Sequence, residues 1–389
     1  MKILIAPMAA LAETSGPITR AQALAIEIKK RGHEVAFCAA KDGNYRPVKA
    51  VKNYYAPIPS PFGLPLFIGK RIFKAMHGIQ ALGIQPRLKV TSFEKVLYIV
   101  GAIHKKFFPK DVHCLQKAIR DFKPDVVYAE FRIAAIVAAK LENVKVITAY
   151  SFPVQKSYAS DPEYSKGVKE FLGRNGLPKI ESALDIFDWA DLKIVASSYE
   201  LEPIDDEKVI HVGPFVTVQK PKETSTRKRN IIAYMGSGTI TPKRLIKVLT
   251  EAFVGTDFQV YIATKGAKPF KRGNINVGHR FDFVDLMPKA VAFINHGGQN
   301  SIMTGLISGV PQIICPGNVF ERRYNAVSVK KLNAGISLEV EDFTSRRIEQ
   351  IIQGFEANPI YRNNAKKAGE KLLNLGGTQK VVDILESEF

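Results

Sequence analysis

Between His296 and Ser301 the sequence places one histidine, two glycines, one asparagine and one serine, in the order HGGQNS. Gly297 and Gly298 let a backbone come close to a ligand. A helix starting at Gln299 or Asn300 presents first-turn N–H groups and the positive end of its dipole, which favours an anion by roughly 0.3–2 kcal/mol. His296 and Asn300 add side-chain donors, and Ser301 a short polar side chain. A plain strand-to-helix turn would also use glycines and a capping Asn or Ser. The combination with His296, and the Gly309-Val310-Pro311 stop twelve residues after Gly297, favours a phosphate site for a diphosphate-bearing small molecule.

A second turn of the same character is Gly236-Ser237-Gly238, which follows Tyr234-Met235. Its N–H groups and the Ser237 hydroxyl suit a phosphate oxygen. Two carboxylates offer acid–base chemistry in the first half of the chain. Glu13 lies in the loop after the first apolar run, and Glu130 closes the strand read over Lys123–Glu130. A carboxylate at the end of a buried strand is unusual unless it is used. No His/Cys cluster has metal-ligand spacing, and no resident cofactor or metal is expected. His33 follows Gly32 at a helix end and reads as structural.

These residues need an α/β frame. Lys2–Ala6 reads as a buried strand, Ile18–Arg31 as a helix ended by Gly32, and Glu34–Ala39 as the next strand. The series implies a parallel sheet. It resumes with a strand ending at Glu130, a helix over Ile133–Leu141, and strands at Val144–Tyr150 and Asp191–Ser197. Asn230–Met235 opens a second series, with strands near Gln259–Thr264, Ala290–Ile294 and Pro311–Cys315. The polar run 217–228 is the best linker in the chain. The expected layout is a first domain over 1–216, a second over 229–375, and a last helix over 376–389. Two such halves imply a cleft, with ligands at the carboxyl ends of the strands.

The chain has 389 residues and a net charge of +19. Residues 41–110 hold 13 Lys and Arg against only Asp42 and Glu94, and look like an insertion with its own helices. A stripe of Ile68, Ile72, Met76 and Ile79 faces away from Lys70, Arg71, Lys74 and His77 on a predicted helix. Basic charge with this much Leu, Ile and Phe suits an anionic membrane surface better than nucleic acid. No run of about 18 uncharged apolar residues could span a membrane. The N-terminal run reads as a strand, without a signal-peptide cleavage pattern. Cys38, Cys114 and Cys315 are far apart and read as reduced core residues of a cytosolic protein. The cytoplasm is the expected location, with residues 41–110 offering attachment to the inner face of the cell membrane.

With these motifs in place, the chain resembles the GT-B glycosyltransferases of family 1, the UDP-glycosyltransferase type. His296, Gly297, Gly298, Asn300, Ser301, Gly309, Val310, Pro311, Pro316, Glu321, Asn325, Ala326 and Gly335 match that family's signature in order. The FERRYNA wording is similar to the bacterial family 28 branch. The resemblance implies a GT-B fold, two Rossmann-like domains facing across a cleft, with the acceptor on the first domain and the nucleotide sugar on the second. It implies that His296, Asn300 and Ser301 hold the donor pyrophosphate and that Glu321 binds sugar hydroxyls. Gly236, Ser237 and Gly238 match its second phosphate loop. Phe281, ahead of Phe283, is the candidate to stack on the base. Gln299 and Arg322 complete the donor set.

The sequence departs from the family in three places. Arg322 stands where a Gln reads the sugar, Thr304 where plant members use a Glu against the ribose, and Pro17 where a His deprotonates the acceptor. Glu130 and Glu13 are therefore the candidate bases. The metal-holding Asp-x-Asp of the other main glycosyltransferase fold is absent. The resulting expectation is an inverting, metal-independent transfer from a UDP sugar to a hydroxyl of a hydrophobic or lipid acceptor at a membrane surface. The alternatives are a soluble natural-product glycosyltransferase, a nucleotide-sugar epimerase of the same fold, and a non-catalytic GT-B partner protein.

Overall fold

The computed structural model describes residues 1–8, 16–41, 47–48, 50–81, 89–215, 229–236 and 240–389, except the side chains of 73 and 76–81. The chain divides into two compact units. One is Met1–Lys74, Val90–Thr217 and Leu375–Phe389, and the other is Ala75–Lys89 and Val218–Asn374.

The first unit contains β1 (Lys2–Pro7), α1 (Gly16–Lys30), β2 (Glu34–Ala40), β3 (Lys52–Ala56), the part of α2 (Leu66–Ala81) up to Lys74, α3 (Phe93–Val100) and α4 (Phe108–Phe122). It continues with β4 (Val126–Glu130), α5 (Ile133–Leu141), β5 (Lys145–Tyr150), α6 (Lys156–Ala159), α7 (Lys166–Arg174), β6 (Leu192–Val195) and β7 (Val209–His211). The strands form a parallel sheet in the order β3-β2-β1-β4-β5-β6-β7. Helices cover the central strands on both faces, so these read as unbroken apolar runs. The helix α5, IAAIVAAKL, is buried from Ile133 to Ala139.

The segment 41–110 is not wholly an insertion. Within it, β3 joins the sheet as an edge strand, with Cys38 opposite Tyr54. Its sequence, KNYYA, is half exposed and lacks the apolar run that marks the other strands. The cysteines also differ from expectation. Cys38 and Cys315 are buried, but Cys114 is half-buried on α4.

The second unit contains β8 (Asn230–Tyr234), α8 (Pro242–Phe253), β9 (Gln259–Ala263), β10 (Phe270–Arg272), β11 (Ile275–Gly278) and α9 (Phe283–Leu286). There follow β12 (Ala290–Asn295), α10 (Gln299–Ile307), β13 (Gln312–Ile314), α11 (Phe320–Lys331), β14 (Gly335–Ser337), α12 (Ser345–Ala357) and α13 (Ile360–Asn374). The sheet order is β10-β11-β9-β8-β12-β13-β14, parallel except for the β10–β11 pair. One face packs Ile231, Val260, Ile262, Ile294 and Ile313 against α8 and α12 through Leu245, Leu249, Ile348 and Ile352.

Strand order reverses at β8, which has β9 on one side and β12 on the other. In open α/β sheets the crevice at such a switch point is where ligands bind. It lies here at the carboxyl ends of β8 and β12, where both glycine turns begin.

The last helix, α14 (Thr378–Glu388), belongs to the first unit. Val381, Val382, Ile384 and Leu385 enter that unit's core beside Leu24 and Ile28 of α1. Arg31 bonds Glu386 at 3.0 Å, and His33 Nε2 lies 2.9 Å from the same carboxylate. His33 thus helps tie the chain's end to α1.

Candidate functional site

The turn after β12 is held from below by a buried amide chain. Asn295 Oδ1 accepts from Gly297 N at 2.8 Å, Asn295 Nδ2 donates to Gln312 Oε1 at 2.8 Å, and Gln312 Nε2 donates to Ile302 O at 3.0 Å. Asn295 and Gln312 are fully buried. Such a network is rigid only when every member is satisfied. Asn325 of α11 adds a bond from Nδ2 to Gly297 O at 2.9 Å. Gly297 has a φ of +81°, and a Cβ there would meet Arg322 O at 2.9 Å. The glycine therefore supplies both the left-handed backbone and the close approach of α11.

Gly298 is the N-cap of α10 and brings no side-chain cap. No side chain of its own competes for the N–H groups of the first turn. Ser301 N bonds back to Gly298 O at 2.9 Å, and the Ser301 side chain is buried. Asn300 is exposed, while Gln299 is half-buried. Thr304, the residue in place of a ribose-binding Glu, donates its hydroxyl to Asn300 O at 2.7 Å. This is the usual back-bond of a helical Thr.

The His296 ring lies between two glycines. A Cβ on Gly298 would stand 2.7 Å from His296 Nε2, and one on Gly236 would stand 3.4 Å from it. Any larger residue at Gly298 would displace the ring. The Tyr234 ring packs edge-on to the His296 ring, 5.7 Å between centroids. His296 is only 7% exposed, and its Nδ1 makes no hydrogen bond. Burial, and secondarily the Arg322 charge, depress its pKa to about 3. At neutral pH the ring is an uncharged imidazole with a single N–H, and a hydrogen bond to the Tyr234 backbone works against the downward shift. The cation of the cluster is Arg322, whose own pKa burial lowers while Glu321 opposes the change.

The turn after β8 begins at Gly236, which has a φ of +57°. Tyr234 pairs with Asn295 in the β8–β12 register, so this glycine and His296 leave adjacent strands side by side. Ser237 and Gly238 lie outside the described residues, as does Glu13.

The two aromatic candidates separate. Phe283 packs on Phe293 at 5.8 Å and joins the small core cluster of Met287 and Val310. Phe281 is half-buried beyond the end of β11. Its ring lies over Gly278 and meets Tyr261 edge-on at 5.4 Å. Both rings are half-buried, but only Phe283 packs on that core cluster.

Glu130 does not present the free carboxylate expected of a base. It is completely buried, and Oε1 accepts from Arg20 Nε at 2.8 Å and pairs with Arg20 Nη2 at 2.7 Å. Its Oε2 accepts from Tyr128 at 3.1 Å. Burial raises its pKa, against the pull of Arg20. The partner sits on α1, one turn beyond Pro17, and its guanidinium stacks over Phe131 at 5.4 Å. Phe131 itself has a φ of +57°, a strained value for a non-glycine residue. Sequence reasoning singled out Glu130 but not Arg20. Arg20 occupies a buried position within the apolar stripe of α1, and that is the one local signal of a paired charge.

Among the described residues no helix is long and apolar enough to cross a membrane. On α2 and the turn before it, Phe62, Leu66 and Phe67 are exposed, as are Lys70, Arg71 and Lys74.

Residues 264–387, which contain Phe281, the turn after β12 and Arg322, match the family model described as the erythromycin biosynthesis protein CIII-like C-terminal domain. The NDP-glycosyltransferase YjiC of Bacillus licheniformis is 24% identical, over 96% of this chain and 94% of its own. Among solved structures, CalG4, the calicheamicin glycosyltransferase, aligns with a TM-score of 0.73 at 16% identity, over 99% of this chain and 97% of that one. The spinosyn rhamnosyltransferase SpnG complexed with thymidine diphosphate aligns with a TM-score of 0.67 at 15% identity, over the whole of both chains.

Proposed function

We propose that this chain, a GT-B glycosyltransferase of the family 1 type, moves a sugar from a nucleoside diphosphate sugar to a hydroxyl of an apolar small molecule. The observation that carries the reading is the turn between β12 and α10. There a buried, neutral His296 with an unsatisfied Nδ1 stands beside Arg322 at the N-terminus of a helix. The proposed transfer is inverting. The acceptor oxygen bonds to the anomeric carbon while the bond from that carbon to the diphosphate breaks on the opposite side. The developing negative charge on the diphosphate meets the α10 N-terminus, worth roughly half a positive charge, and the Arg322 guanidinium. His296 adds a hydrogen bond without adding charge. These groups stabilise the leaving group electrostatically, with no metal assigned to that role.

In this reading Gly236, Ser237 and Gly238 receive the second phosphate, and Gln299, Asn300 and Ser301 line the first. Phe281 faces the base, and Glu321 meets sugar hydroxyls. Glu13 is the proposed base. Glu130 holds α1 through Arg20. The donor is a UDP or dTDP sugar, the second supported by the thymidine diphosphate complex of SpnG.

The test is a thermal-shift panel of UDP, dTDP and GDP sugars, followed by transfer assays on hydroxylated apolar aglycones. A donor at 100 times its Kd stabilises by about 2.7 kcal/mol. The reading predicts a shift with at least one donor and nucleoside diphosphate release that depends on acceptor. No shift across the panel contradicts it, and release without acceptor points to an epimerase-like reaction.

The exposed Phe62, Leu66 and Phe67 beside Lys70, Arg71 and Lys74 favour a second reading of the acceptor, as a lipid met at an anionic surface. Each basic residue near such a leaflet contributes about 1 kcal/mol. Sedimentation with anionic but not neutral vesicles supports it, and equal recovery with both rejects it.

A further inference from the structure

Two of the three cysteines meet within the first unit. Cys38 is fully buried in β2, whereas Cys114 is half-buried on α4. Each thiol perturbs the ionisation of the other. Cys114 Sγ also reaches Tyr55 O at 3.7 Å, and the β2–β3 register sets Cys38 beside Tyr54. Helix α4 thus lays Cys114 onto the pair of strands that holds Cys38. Arg132, at the start of α5, fixes the frame by bonding Asp111 of α4 at 3.1 Å and the Cys38 carbonyl oxygen.

The charges around the pair divide the labour between the thiols. The Cys114 thiol is drawn down to about 7, chiefly by Cys38, with Arg132 and Lys117 assisting and burial and Asp111 opposing. The Cys38 thiol is pushed well up by Cys114 and by burial. The thiolate is the reactive form of a cysteine, so the more exposed sulfur is also the more nucleophilic. Cys315 gives an internal contrast. It is buried in the core of the second unit, and burial pushes its thiol up to about 12.

We infer that Cys38 and Cys114 form an oxidisable dithiol site, in which Cys114 attacks a peroxide and Cys38 resolves the product into a disulfide. The Cys114 thiolate bonds to one peroxide oxygen, the O–O bond breaks, and the departing hydroxide takes up a proton. Cys114 is then a sulfenic acid. The Cys38 sulfur attacks the Cys114 sulfur, the S–O bond breaks, and the hydroxide leaves as water with the Cys38 proton. Two thiols lose two electrons and two protons, and one hydrogen peroxide becomes two waters. The product ties α4 to β2 covalently.

The test treats the full chain with hydrogen peroxide, blocks remaining thiols with iodoacetamide under denaturing conditions, and maps unreduced peptides by mass spectrometry. The expected result is a peptide joining Cys38 to Cys114, with Cys315 fully alkylated. In Cys38→Ala, dimedone should label Cys114 after peroxide treatment. Alkylation of Cys38 and Cys114 as complete as that of Cys315 after peroxide overturns the inference. So does oxidation of Cys315 in preference to the pair. Should Cys38→Ala fail to fold, the wild-type peptide map alone decides.

Discussion

His296 is useful as a neutral ring, and its neutrality has a measurable consequence. Its folded pKa of about 3 lies below the value of about 6.5 for a free histidine. Between these values the unfolded chain binds a proton that the folded chain does not. Stability from this residue is therefore complete above about pH 6.5 and falls as pH drops toward 3, by up to about 1.4 kcal/mol per unit. His296→Asn removes the effect. The difference in unfolding free energy between wild type and His296→Asn, measured by urea titration, should shrink from pH 7 to pH 4.5, and a constant difference would show the ring is not buried neutral. Glu130 makes the opposite case. Glu130→Gln takes the buried carboxylate charge away from the Arg20 guanidinium, a loss of about 3–5 kcal/mol. The variant should show a large fall in Tm, whereas a residue serving only as a base would lose kcat with the fold intact. What was legible at this scale follows from distance along the chain. The HGGQNS turn is local, so its chemistry shows in six neighbouring letters. The Arg20–Glu130 pair spans 110 positions, and no periodicity reports it. The Cys38–Cys114 contact is hidden for the same reason.

The placement of α10 depends on two close approaches. A Cβ on Gly369 of α13 would stand 2.2 Å from Leu306 O, and one on Gly305 would stand 2.5 Å from the Gln312 side chain. Gly369→Ala should therefore push α13 away from α10 and destabilise by about 1–3 kcal/mol. Gly354→Ala in α12 is the control. Nothing lies within 4 Å of its Cβ position, and the substitution should stabilise by about 0.5–1 kcal/mol through helix propensity. Denaturant midpoints of the two variants moving in the same direction would contradict this packing. The long buried elements were legible, because the runs of β4, β5, β12 and α5 are apolar on every side. The edge strands were not. β3 carries Lys, Asn and two Tyr, and β10 is the exposed triplet Phe270–Arg272. Short strands at a sheet's margin are specified by their neighbours' backbone groups, and they leave little pattern of their own.

At the scale of the molecule, the two sheets share one plan but carry different chemistry. Tyr234, Gly236, Phe281, His296, the first turn of α10 and Arg322 all belong to the second unit. The proposed nucleotide capture would therefore lie in that unit, and the net charge of +19 adds a general attraction for a diphosphate. The fold class was legible from the two βα series; the linker read at 217–228 lies outside the described residues. The acceptor was not, since Pro17 removes the local signal by which a base is read. The most direct test is calorimetric titration of the full chain with UDP and dTDP, in wild type, His296→Ala and Arg322→Gln, each checked for native circular dichroism. Hydrogen bonds to a charged partner contribute about 1.5–3 kcal/mol, and every 1.4 kcal/mol is about tenfold in Kd. The account predicts binding of at least one nucleoside diphosphate by the wild type and a weakening of about 10–100-fold in each folded variant. No binding by the wild type, or unchanged binding in both variants, would contradict a diphosphate site at the turn between β12 and α10.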